Sequence, residues 1–103
     1  MKILTIETIP NRNYEALDIV KGTVVYSKNF GRDFMASMKT LVGGEFVGYT
    51  EMLNEARQIA TKRMVDAAEA LGADAIVGAR YASSSVMQGA AEVVAYGTAV
   101  KFL

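Results

Sequence analysis

The stretch from residue 49 to residue 71 constrains this chain more than any other. Tyr49, Met52, Leu53, Ala56, Ile59, Ala60, Met64, Ala67 and Leu71 recur at helical spacing and trace one apolar stripe. Glu51, Glu55, Gln58, Lys62, Asp66 and Glu69 trace a wet face. Gly72 follows as the residue that ends the helix, because the left-handed turn after a last helical residue suits glycine. At 1.5 Å per residue the helix is about 35 Å long. A chain of 103 residues packs to a radius of gyration of roughly 13 Å, so the helix crosses the whole domain. Everything else must pack against it, within a single domain over residues 1–103.

The flanking segments read mostly as strands. Residues 2–8 alternate, with Leu4 and Ile6 on one face. Pro10-Asn11-Arg12-Asn13 is a turn cluster. Residues 14–28 hold two β-rich stretches around Lys21-Gly22, which fits one long bent strand or a hairpin. Residues 30–42 switch to helical spacing, with Phe30, Phe34, Met35, Met38, Leu41 and Val42 on one face. Asn29 would cap that short helix, and Gly43-Gly44 would end it. Ala75–Val86 and Ala91–Phe102 form two strands around Met87-Gln88-Gly89, a hairpin connection. The fold class is therefore α+β: an antiparallel sheet wrapped on one long helix, plus a short helix.

The last strand has two apolar faces. Val94, Tyr96, Thr98, Val100 and Phe102 take one; Val93, Ala95, Gly97, Ala99 and Lys101 take the other. A half-solvated strand alternates apolar with polar residues. One helix covers one face, so the second needs another cover. A second copy of the chain would supply it, which predicts a homo-oligomer; the short helix at 30–42 is the alternative.

Composition narrows the chemistry. There are 11 Lys+Arg against 11 Asp+Glu, with no His and no Cys. Balanced, scattered charge argues against nucleic acid as a partner. No segment approaches the ~20 apolar residues of a membrane span, and Thr5 and Glu7 break up any signal-peptide core. The expected location is the cytoplasm. Without His or Cys the commonest general base, thiol nucleophile and soft-metal ligands are missing. Ser83-Ser84-Ser85 has no base partner and reads as a polar strand end. Arg80 and Glu92 read as a cross-strand ion pair, and Met35, Met38, Met52 and Met64 as core filling. No nucleophile–base pair is visible, so the chain is not expected to be an enzyme.

Several phrases recur in a specific order: Gly31-Arg32-Asp33, Gly43-Gly44-Glu45 with Tyr49, Ala56-Arg57, Leu71-Gly72-Ala73-Asp74-Ala75 and Ala95-Tyr96-Gly97-Thr98-Ala99-Val100. Together they resemble the YbjQ-like family of uncharacterised small proteins over nearly the whole chain. The resemblance implies a dodecin-like α+β subunit and a ring-like homo-oligomer, a pentamer. It also implies metal binding. With no thiolate or imidazole, any metal would sit on carboxylates and carbonyls, which favour hard cations. Glu45 would be its ligand.

Gly43 to Thr50 has the glycines of a phosphate-binding loop but not its lysine, since Tyr49 stands at that position. What survives is either a small-anion site at a helix start or a plain turn. If the two helices pack as a hairpin, Arg32, Asp33, Glu45 and Tyr49 meet and form the candidate ligand-binding pocket. The alternative is a set of caps and ion pairs. The functional reading is a homo-oligomeric binding protein for a metal ion or small anion, with a structural platform as its rival.

Overall fold

The computed structural model describes residues 1–27, 41–42, 45–87 and 90–103, with side chains over 1–26, 50–87 and 90–103. The strands are β1 (Lys2–Ile3), β2 (Tyr14–Ser27), β3 (Leu41–Val42), β4 (Glu45–Phe46), β5 (Ala75–Met87) and β6 (Ala90–Phe102). The long helix is α1 (Val47–Ala70). Four strands form one sheet in the order β1-β5-β6-β2, and β3 pairs with β4 separately.

α1 forms where the periodicity places it, starting two residues earlier. Met52, Ala56, Ala60, Met64 and Ala68 are all buried. They stand four residues apart and form a single ridge along the helix. The end of α1 follows the expected cap. Gly72 has φ +79°, its N–H donates to the Glu69 carbonyl (2.9 Å), and the Ala73 N–H donates to the Ala68 carbonyl (3.1 Å). These two bonds satisfy carbonyls that a helix end leaves orphaned. Leu71 falls outside the apolar stripe assigned to it. It sits in the turn, beyond the last helical residue, and is exposed. Asp74 then ties the turn to β6: its carboxylate accepts from the Phe102 N–H at 2.8 Å, and its own N–H donates to the Val100 carbonyl.

Residues 14–27 form one long strand, not a hairpin. Gly22 is neither a bulge nor a reversal; the register irregularity lies between Ala16 and Asp18. Gly22 is the place where the helix touches the sheet. A Cβ there would overlap the Ala60 carbonyl oxygen and the Met64 amide nitrogen, and come within 2.8 Å of Arg63 Cβ. The alanines of the ridge and this bare strand position let two backbones meet. Arg63 reaches over the contact and donates to the Thr23 carbonyl.

The sheet is mixed, which corrects the all-antiparallel expectation. β1 runs parallel to β5, pairing Lys2 with Ala75 and Ile3 with Ile76. A parallel neighbour requires a long crossover, and here more than half the chain lies between the two strands. The expected strand 2–8 shortens accordingly, because β5 bulges between Val77 and Arg80. Across that bulge the Gly78 and Ala79 N–H groups donate to the carbonyls of Ile6 and Leu4, and the Arg80 guanidinium donates to Thr5. Arg80 therefore does not pair with Glu92. It stands opposite Tyr96, whereas Glu92 stands opposite Ser84.

Residues 30–40 of the expected short helix, with Met35 and Met38, lie outside the described residues. Its last two, Leu41 and Val42, are strand, paired with Phe46 and Glu45. Leu41-Val42 and Glu45-Phe46 stand on either side of two glycines, the spacing of a tight hairpin, and that pairing prevails over the helical spacing.

The two faces of β6 have different covers. Val93, Ala95 and Ala99 pack against α1 of the same protomer. Gly97 belongs to that face too, and a Cβ there would meet Ile76 Cγ2 at 2.7 Å. The small-residue face is therefore internal to the subunit. On the opposite face Val100 joins Ala75 and Val77, with Ile9, Tyr14 and Phe102 packed around them. The N-terminal segment is thus a cover that the periodicity did not reveal. The Arg12 guanidinium seals it, 3.9 Å above the Phe102 ring. Farther along, this outer face is open: Ile19 is 70% exposed, Val25 57% and Tyr96 38%. The chain is elongated, 50 × 28 × 18 Å, with a radius of gyration of 16.4 Å.

Candidate ligand-binding site

Of the residues proposed from sequence, Arg32 and Asp33 lie outside the described residues. Glu45 stands in β4 opposite Val42, and Tyr49 lies in the first turn of α1. Their side chains also lie outside the described ones. The chain positions thus put Glu45 and Tyr49 on either side of the strand-to-helix junction.

A second polar site is described in full. α1 lies mainly over β2, so β5 overhangs the helix on the opposite flank. Between the overhang and α1 is an open cleft of about 580 Å³, lined by Asn54, Arg57, Gln58, Thr61, Lys62 and Tyr81. The five helical residues are spaced as one face of a helix. Tyr81 reaches across from β5, where it pairs with Ala95 and so points to the helix side of the sheet. Its hydroxyl lies 2.8 Å from Thr61 Oγ1. The Thr61 hydroxyl in turn donates to the Arg57 carbonyl at 2.7 Å. Arg57 donates to Asn54 Oδ1 at 2.9 Å. Lys62 pairs with Asp66 at 3.0 Å, an exposed i,i+4 ion pair worth roughly 0.3–0.5 kcal/mol.

The cleft contains two cations and no carboxylate among its lining residues. Its electrostatics therefore favour an anion. Sequence reasoning missed it because Gln58 and Lys62 read as part of a solvated face. The available signal was that amides, hydroxyl and cations occupy a continuous helical stripe.

Two further hollows are different in kind. One, of about 230 Å³, lies under the edge of β2 and is lined by Val24, Val25, Tyr26, Met52, Ala56 and Ile59, with Glu55 at its rim. The other, of about 450 Å³, follows the joint between Ile3–Thr5 and Ala79–Tyr81. Arg80 is already committed there to the Thr5 and Ala79 carbonyls, so it serves the joint.

A soft metal ion does not fit the donors present. Such ions take thiolate or imidazole, and the sequence has neither. The thioethers of Met52 and Met64 are buried in the core as expected, at 1% exposure each. Among the described residues, no three carboxylates converge on a point that could hold an ion.

Comparison with known proteins gives one consistent result. A family model described as "Putative heavy-metal-binding" matches residues 1–103. A UPF0145 protein of Thermotoga maritima is 60% identical over 102 residues, covering 98% of this chain and 96% of that protein. One of Clostridium novyi is 54% identical over 103 residues, covering all of both chains. In structure, the chain is similar to a protein of unknown function of the DUF74 family from Pediococcus pentosaceus. The TM-score is 0.70 at 23% identity, over 100% of this chain and 98% of the other, which establishes a shared fold. Matched from end to end by the family model and by relatives of this identity, the chain belongs to the YbjQ-like family, that of the UPF0145 proteins.

Proposed function

We propose that this chain is a homo-oligomeric binding protein whose dodecin-like subunits close into a ring. The observation that carries the proposal is the open outer face of the sheet, with Ile19, Val25 and Tyr96 presented to solvent on the same face of β2 and β6. Large apolar side chains are costly to leave wet. The sheet margins support the same reading. Among the described residues, β2 has no neighbour on its outer edge, and β5 has none beyond Ala79. These open margins lie on opposite flanks. Joining one to the other is a head-to-tail contact, which closes into a ring when the rotation allows. The family resemblance makes the number five.

Native mass spectrometry tests this directly. The expected species is five times the 11.1 kDa chain. Ile19→Asp combined with Val25→Asp should shift it to monomer while far-UV circular dichroism stays unchanged. A wild-type protein that is monomeric at micromolar concentration would remove the ring. The pocket expected at Arg32, Asp33, Glu45 and Tyr49 is checked by Glu45→Gln. That variant should keep the ring and lose bound Mn²⁺ if Glu45 is a ligand, and should weaken the ring if Glu45 is structural.

A further inference from the structure

We infer that the cleft between α1 and the overhanging part of β5 binds a phosphorylated, hydroxyl-bearing small molecule. All six lining residues come from one protomer, so the inference goes beyond the ring and stands or falls without it.

The flank of α1 beside its buried ridge is wholly polar. Positions 54, 57, 58, 61 and 62 have the spacing of the stripe an amphipathic helix turns toward a sheet. The stripe beside it obeys the rule with methionine and alanine. This one carries Asn54, Arg57, Gln58, Thr61 and Lys62, exposed except for the half-buried Thr61, and meets β5 through the Thr61–Tyr81 contact. A helix flank of hydrogen-bonding groups beside an overhanging strand suits a polar guest.

The hydrogen bonds then fix which group faces where. The Thr61 proton is committed to the Arg57 carbonyl, so Thr61 Oγ1 accepts the Tyr81 proton. The Tyr81 oxygen is left with lone pairs toward the cleft. It can accept from a guest hydroxyl but has no proton for an anion. Arg57 spends one N–H on Asn54. The rest of its five-donor fork suits the oxygens of a phosphate. Lys62 adds a second positive charge, held on one side by Asp66. The cleft thus offers donors to an oxyanion at Arg57 and Lys62 and an acceptor to a hydroxyl at Tyr81. A bare ion would use only the donors, whereas a sugar phosphate uses both.

The test is calorimetric titration at low salt with three probes: ribose 5-phosphate, inorganic phosphate and ribose. Ribose 5-phosphate should bind saturably, inorganic phosphate about tenfold more weakly, and ribose not at all. Arg57→Gln should weaken both phosphates at least ~10-fold, since a hydrogen bond to a charged group is at stake. Tyr81→Phe should weaken ribose 5-phosphate several-fold and leave inorganic phosphate unchanged. Asp66→Asn should tighten both by releasing Lys62. All the substituted positions are exposed, so the variants should melt within a few degrees of the wild type. Absence of saturable binding, or equal binding by Arg57→Gln and wild type, overturns the site. Equal affinity for the two phosphates overturns its hydroxyl-binding end.

Discussion

The β5–β6 ribbon has two halves made of the same two antiparallel strands. In the half nearest the end of α1, Ala75, Ile76, Val77, Ala79, Ala99 and Val100 are buried. In the far half of β5, every residue from Tyr81 to Met87 is exposed, although Val86 and Met87 are as apolar as anything in the core. Strand propensity does not separate the halves; cover does. The near half has α1 on one face and the N-terminal segment on the other. The far half of β5 extends past both. There β5 is the edge of a three-stranded sheet, held by β6, which pairs with β2 on its other side.

The largest break in this contrast should come from unseating the cover. Gly22→Ala pushes a methyl group into the backbone of α1 at Ala60 and Met64. Overpacking costs about 1–3 kcal/mol, and more where the obstacle is backbone. At roughly 4–8 °C per kcal/mol, the melting temperature should fall by ~10 °C or more. A melt within two or three degrees of wild type would mean that α1 can ride higher on the sheet.

The next effect compares like with like. Met64→Ala removes a buried side chain under the helix and should cost about 2–5 kcal/mol in urea unfolding. Met87→Ala removes the same atoms from the far half, where the side chain is 66% exposed. It should change stability by no more than ~0.5 kcal/mol. Equal losses would show that the far half carries cover in solution, as a ring would give it.

The smallest effect concerns the side-chain link between α1 and the far half. Tyr81→Phe deletes the hydroxyl that meets Thr61. Both groups touch solvent, so the cost should stay near the low end of a hydrogen bond, about 0.5 kcal/mol. A loss of several kcal/mol in thermal unfolding would mean that the link, not the strand pairing, holds the far half in place.

Much of the architecture was legible because it is periodic. The α1 ridge, its glycine cap and the last two strands follow from spacing and turn chemistry that act within a few residues. The features that were not legible depend on contacts between distant residues. Gly22 looks the same in a sequence whether it bends a strand or admits a helix backbone. Arg80 stands opposite Tyr96, four residues from Glu92 along β6, and its guanidinium is taken by the Thr5 carbonyl of the distant N-terminal segment. The first pocket rested on two helices meeting, and part of the shorter one lies outside the described residues. The Arg57–Tyr81 cleft required knowing that α1 sits off-centre on the sheet, which no local pattern encodes.

The order β1-β5-β6-β2 also constrains how the protein can be made. β6 is the neighbour of both β5 and β2, and it leaves the ribosome last among these strands. Tyr14 waits for Phe102, and Lys2 for Ala75. Until residues 90–102 emerge, the long β2 strand lacks its partner β6 and the helix has only part of its seat. Closing such distant pairs is slow. Synthesis should therefore deliver a nascent chain that stays unfolded until its final turn, and a premature stop anywhere before Ala90 should leave a product for proteases rather than a smaller domain.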